Sequence, residues 1–255
     1  MTGSERQKSY VLTVAESKRL IARGVAACAA VESALDEGIV AVAKGTTDGY
    51  VVEEITGETI DRTLYCTGTT QPARRKSDVR VANELDDLVL QEGEPMEGFS
   101  ATESVGEMGP DDVFIKGANA LNYDLGQAGV LIGHPTGGTV GAALGTVIAR
   151  RITLIIPVGL EKSIPGDLYE TAQALNRSGK TGSGPTLWPV EGEIFTELEA
   201  LDVLAGVHAH PIAAGGILGA EGSVRIAVWG TDQQVERADA MIESVRGESP
   251  FGISE

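Results

Sequence analysis

The sequence predicts an α/β protein: a mostly parallel sheet flanked by helices, followed by a small C-terminal ferredoxin-like α+β lobe. Short apolar runs that end in polar turns, Ile39–Ala43, Val113–Lys116 and Thr153–Val158, have the continuous apolar character of strands buried on both faces. Runs of helical period separate them. The segment Asn176–Pro185, NRSGKTGSGP, is the clearest linker, and the order of elements changes beyond it. The expected division is therefore residues 1–180 as the α/β domain and 186–250 as the small lobe.

Composition narrows the function. The 255 residues are 42% hydrophobic but only 4% aromatic, so Ala, Val, Gly, Ile and Leu must pack the core. The net charge is −17, with 37 acidic against 20 basic residues, of which only 7 are Lys. Such a surface repels nucleic acid and anionic membranes, and neither is an expected partner. Of two readings, a salt-adapted protein and an ordinary acidic one, scarce Lys with acids spread along the whole chain favours the first. The first ten residues, MTGSERQKSY, have no apolar core of signal-peptide length, and no apolar run approaches a membrane span, so a cytoplasmic location is expected. Cys28 and Cys66 lie far apart and are expected as reduced thiols.

Taken in order, Thr13-Val-Ala-Glu16 is a capping box that opens a helix. Leu20, Ile21, Val25, Cys28, Val31 and Leu35 continue it at helical period, Gly24 interrupts it for close packing, and Gly38 ends it. Lys18, Arg19 and Arg23 read as its solvated face. Ile39–Ala43 is a strand, followed by Gly45-Thr46-Thr47 and a helix from Tyr50. Strand, Gly-Thr-Thr, helix gathers backbone N–H groups and two hydroxyls at a helix N-terminus, a geometry that suits an anion; Thr46, Thr47 or Asp48 as a plain helix cap is the other reading. Ile60–Cys66 reads as a strand and Thr67–Arg80 as a polar loop. Arg74, Arg75 and Lys76 in that loop form either a solvated stretch or an electropositive rim. Gln91–Gly109 reads as an irregular crossing of the sheet edge.

The stretch 111–162 carries the strongest signals. Lys116 ends a strand, where it either snorkels to solvent or aims at a ligand. Asn119 and Asn122 suit a turn. His134-Pro-Thr136-Gly137-Gly138-Thr139 opens the helix Val140–Arg151, and Gly137 to Thr139 form a second candidate anion site. Gly137, Gly141 and Gly145 recur every four residues and predict a bare helix face against the sheet. Beyond the linker come strand Leu187–Val190, helix Ile194–Leu204, strands Val207–Ala214 and Val224–Trp229, and helix Gln233–Val245. This pattern suggests the ferredoxin-like lobe. His208 and His210 share a strand face, but two ligands are too few for a metal site, so no metal and no cofactor are expected.

These segments resemble the NagB/RpiA/CoA-transferase-like superfamily, which includes ribose-5-phosphate isomerase and glucosamine-6-phosphate deaminase. The shared features are a strand with a Gly/Ser/Thr turn (Gly45-Thr46-Thr47), a strand ending in Gly-Ala-Asn (Lys116-Gly-Ala-Asn119), and a Gly-rich loop, helix and strand (Gly137-Gly138 to Val158). The resemblance covers roughly residues 15–162 and implies a Rossmann-like sheet. Where the isomerase turn carries two acidic residues, this chain has Lys116 and Asn119, and His134-Pro135 stand where the isomerase has a Lys.

The expected function is binding of a small anionic metabolite, a sugar phosphate or an acyl or CoA carboxylate, by an isomerase- or transferase-like enzyme; a non-catalytic sensor on the same fold is the alternative. Gly45, Thr46, Thr47, Asn119, His134, Gly137, Gly138 and Thr139 would bind it. Lys116 would neutralise developing charge, and Glu161 or Asp124 would carry the proton. The expected assembly is a homo-oligomer.

Overall fold

The computed structural model describes residues 6–73, 80–177 and 184–252. The chain opens with β1 (Arg6–Leu12), α1 (Val14–Ala26), α2 (Ala29–Glu37), β2 (Ile39–Val42) and α3 (Asp48–Thr56). β3 (Leu88–Gln91), β4 (Glu94–Pro95), α4 (Ala101–Ser104) and β5 (Val113–Ile115) follow. Next come β6 (Ala120–Asn122), β7 (Gln127–Ile132), α5 (Gly138–Arg150), β8 (Thr153–Pro157) and α6 (Leu168–Leu175). The chain closes with β9 (Thr186–Val190), β10 (Glu193–Phe195), α7 (Glu197–Ala205), β11 (His208–Ala214), β12 (Val224–Gly230) and α8 (Asp232–Glu243).

The fold is mixed α/β, with eight α-helices among the described residues and a mixed six-stranded sheet of order β10-β8-β5-β2-β3-β4. β2, β5, β8 and β10 run parallel, and β3 and β4 close one edge antiparallel. Ile39 to Val42 are all buried, as are Val113 to Ile115, which agrees with strands covered on both faces. α5 lies over Phe114, Leu154 and Ile156, leaving a crevice of only about 20 Å³.

Several sequence expectations need correction. The segment after residue 185 does not build its sheet from its own strands. β9 pairs with β7 in a three-stranded sheet of order β6-β7-β9, and β10 extends the large sheet beside β8. β11 and β12 form a third sheet, whose other edge is the N-terminal β1, paired antiparallel with β12 from Arg6↔Gly230 to Leu12↔Val224. The expected late elements exist, but the ferredoxin-like assembly does not form among the described residues, because a strand joins whichever edge buries its apolar face best. Ile60–Cys66 is not a strand: it holds a 3₁₀ turn at Arg62–Leu64 and a single bridge from Tyr65 to Asn83. In α5 the face on the sheet is Val140, Ala143 and Val147, while Gly141 and Gly145 are exposed. An apolar stripe at helical spacing outweighs a bare one when surface is removed from water. The predicted single first helix breaks at Ala27, with Cys28 extended. Arg74 to Lys76 and most of the linker lie outside the described residues.

Local signals hold elsewhere. The Thr13–Glu16 capping box forms, with both reciprocal hydrogen bonds. A Cβ on Gly24 would lie 2.6 Å from Ala200 Cα, so only glycine lets α1 pack this closely on α7. One continuous core runs from Tyr10 to Val245 and joins the helices to all but a small satellite cluster around Leu168 and Leu187. Arg19 is not solvated: its guanidinium bridges Glu53 at 2.5 Å and Glu54 and Glu248 at 2.9 Å, and lies 4.7 Å from the centre of the Tyr50 ring. No helix among the described residues is long and apolar enough to cross a membrane.

Candidate functional site

Three adjacent parallel strands deliver residues to one edge of the sheet. β2 leads into Gly45–Asp48, β5 into Lys116–Asn119, and β8 into Glu161–Ser163. The carboxyl edge of a parallel sheet is where ligands bind in open α/β folds. Here it opens on a cleft of about 910 Å³, which the start of α5, the loop Thr67–Thr70 and Lys18 from α1 also line. That volume is at the upper end for small-molecule sites.

Of the residues expected at the site, Gly45, Thr46, Thr47, Lys116, Asn119, His134, Gly137, Gly138, Thr139 and Glu161 all line this cleft. Their roles divide. Asn119 is a structural clamp, since its Oδ1 accepts the Leu131 N–H at 3.0 Å and its own N–H reaches Gly129 O. His134 is exposed and turned onto its own loop, its Nδ1 lying 2.9 Å from Thr136 Oγ1. Gly137 begins α5 at φ 89°, a left-handed conformation that favours glycine, and no side chain caps that helix start. Thr47 is buried, and its Oγ1 has no hydrogen-bond partner among the described residues. Asp124 is exposed on the β6–β7 turn and does not line the cleft; the proton-carrier role assigned to it is withdrawn.

Three residues of the site were missed. Lys18, read as solvated, is only 7% exposed, and its Nζ donates to Thr46 Oγ1 at 3.3 Å. Lys162 reaches back from the end of β8 and donates to Ala118 O at 2.8 Å. Asp48, considered only as a cap, is 0% exposed at the cleft floor. Its Oδ2 accepts the Gly117 N–H at 3.1 Å, while Oδ1 finds no partner among the described residues. The glycines of both turns make room for it: a Cβ on Gly45 would collide with the carboxylate, and one on Gly117 would come within 3.2 Å. The pairing of Gly45 with an acid three residues on was the available signal for Asp48.

The cleft therefore holds Lys18, Lys116 and Lys162, three of the chain's seven lysines. None has a carboxylate within 4 Å among the described residues. No protein-family model, curated protein or solved structure matches the chain. The chemistry has to be read from these groups.

Burial drives the titration of the site. It pushes Lys18 from 10.5 down to about 8, with Lys162 adding repulsion and Glu161 opposing. It lowers Lys116 as well, against the attraction of Asp48. Burial raises Asp48, opposed chiefly by Lys116 and by the Gly117 N–H. Behind the cleft, Glu197 is fully buried and accepts the Leu160 N–H at 3.0 Å. Burial and then Glu161 lift it to about 7. Glu161 Oε2 is itself buried without a hydrogen-bond partner among the described residues. Cys66, also near Lys18, is lifted by burial to about 11, so it is a poor nucleophile near neutrality. Such clustered perturbation is typical of working sites. No group of three or more His, Cys, Asp or Glu suited to a metal ion occurs among the described residues.

Proposed function

We propose that this is a cytoplasmic protein that binds a small anionic metabolite, a sugar phosphate or an acyl carboxylate, in the cleft, and moves a proton on it. The observation that carries the reading is the convergence of three lysines that close no ion pair within 4 Å among the described residues, in a chain of net charge −17. Buried or half-buried cations that close no ion pair are costly, Asp48 and Glu161 offset them only in part, and an anionic ligand would supply the direct partner. The start of α5, which no side chain caps, adds the positive end of a helix dipole at Gly138 and Thr139. Asp48 or Glu161, each with a buried carboxylate oxygen that has no hydrogen-bond partner among the described residues, would carry the proton.

The kinship with the NagB/RpiA/CoA-transferase-like superfamily belongs to the same proposal. It is supported by the order of strand, Gly-Thr-Thr turn, Gly-Ala-Asn turn and Gly-rich helix start around one sheet edge. The acid absent from the Lys116–Asn119 turn would come instead from Asp48, hydrogen-bonded across to Gly117.

The test is a thermal-shift screen over phosphorylated sugars, CoA and acyl-CoA esters, followed by turnover assays on each stabilising compound. A ligand at 100-fold excess over its Kd stabilises by about 2.7 kcal/mol, which such a screen resolves. Stabilisation that vanishes in Lys116→Ala supports the reading. Tight binding with no turnover selects the sensor on the same cleft. Stabilisation that survives the combined loss of Lys116 and Lys162 refutes the anion site.

A further inference from the structure

Among the three lysines, one differs in what its nitrogen touches. Lys116 Nζ donates to Gly117 O at 3.0 Å and Lys162 Nζ to Ala118 O at 2.8 Å. A carbonyl oxygen only accepts, so each contact engages an N–H of the lysine and ties that side chain to the backbone of the Lys116–Asn119 turn. Lys18 Nζ instead meets the Thr46 hydroxyl at 3.3 Å. A hydroxyl both donates and accepts, so it tolerates a neutral amine with a free lone pair. Lys18 also comes from α1, whereas the other two lysines follow the ends of β5 and β8. The Phe251 ring lies 5.5 Å from its nitrogen.

We propose that Lys18 is the nucleophile of this cleft and forms an imine with the carbonyl carbon of an anionic keto or aldehyde metabolite, an inference that rests on the anion-binding reading above. Lys116, Lys162 and the α5 start would hold the anionic group, leaving the carbonyl facing Lys18. Desolvation beside a second cation is a known way to free a lysine amine for this chemistry. Lys162, Glu161, Cys66, Arg62 and Asp48 are titratable or charged neighbours that act on Lys18. Glu161 acts on it without closing an ion pair within 4 Å, and it keeps a buried oxygen free of partners.

The step balances within the site. Glu161 takes a proton from the Lys18 ammonium. The nitrogen lone pair adds to the carbonyl carbon, and a proton passes from nitrogen to the former carbonyl oxygen, giving a carbinolamine. The C–O bond then breaks as Glu161 returns its proton, and the hydroxyl leaves as water. The products are a protonated imine and one water, with no external oxidant or reductant. The imine then acts as an electron sink for proton removal at the neighbouring carbon, within reach of the Asp48 side of the cleft.

The experiment is reductive trapping on the full-length protein. Pyruvate, dihydroxyacetone phosphate and ribose 5-phosphate represent a keto acid, a ketose phosphate and an aldose phosphate. Each is incubated with the protein, reduced with borohydride and mapped by peptide mass spectrometry, with thermal shifts recorded in parallel. The expected result is an adduct on Lys18 with at least one probe, tenfold or more above the half-buried, Asp239-paired Lys8 outside the cleft, rising with pH through about 8 and absent in Lys18→Arg and Lys18→Met variants that retain cooperative melting. An adduct on Lys116 or Lys162 in place of Lys18 overturns the assignment. Stabilisation by a probe with labelling no higher than at Lys8 overturns the imine and leaves the anion cleft standing. Neither stabilisation nor adduct with any of the three overturns both.

Discussion

Replacing Lys18 by Met should make the protein more stable at neutral pH. The unfolded chain holds the Lys18 proton up to pH 10.5, whereas in the fold the proton is lost near pH 8. The protonated form is therefore penalised on folding by about 3 kcal/mol, at 1.36 kcal/mol per unit. The cost is full below about pH 8 and fades as pH rises through 10.5, above which both states are neutral. Met matches the unbranched stem and fills the same channel without a charge. At pH 7 the variant should gain on the order of 3 kcal/mol, or roughly 6–12 °C in Tm for a chain of this size. The assay is paired urea or thermal unfolding of wild type and Lys18→Met from pH 7 to 10.5 in molar potassium chloride. The expected signature is a gap that is widest at pH 7 and closes toward pH 10.5. A variant less stable than wild type, or a gap indifferent to pH, would show that the Lys18 charge is compensated in the fold. A stable protein that retains this cost points to use of the amine.

Glu197→Gln tests the second buried group: its carboxyl is raised to about 7, so the folding cost is full above pH 7 and absent below about 4.5. The variant, whose amide oxygen can still accept the Leu160 N–H, should be more stable at pH 8 by a few kcal/mol and equal to wild type at pH 4, by denaturant titration. Lys116→Ala should weaken the anion found in the screen by roughly 1.5–3 kcal/mol if the ammonium touches it, measured by calorimetry. Urea midpoints should rise from low to molar potassium chloride, because salt screens the repulsion within a −17 surface; a flat or falling midpoint would argue against salt adaptation.

Local chemistry carried much of this protein. The Thr13–Glu16 box and the strand-turn-helix at Gly45–Asp48 depend on residues a few positions apart, and each formed as the sequence implied. The gathering of Gly45 and Lys116 at one edge was also legible, because successive parallel strands place their following turns on the same side, whereas Gly137 reaches the same cleft from β7 in a separate antiparallel sheet. Partner choice between distant segments was not. Arg6–Leu12 and Glu193–Phe195 are short and lack a strong alternating pattern, and only the free edges of β12 and β8 decide where they add. The face α5 turns inward was decided likewise by the sheet beneath it. Lys18 is the sharpest case. A lysine on an amphipathic helix is exposed in almost every context, and its burial here follows from Thr46, Glu161 with Lys162, and Phe251 arriving from three remote parts of the chain. Desolvation is a property of everything packed around a group, so the charge state that gives this cleft its chemistry exists only in the assembled fold.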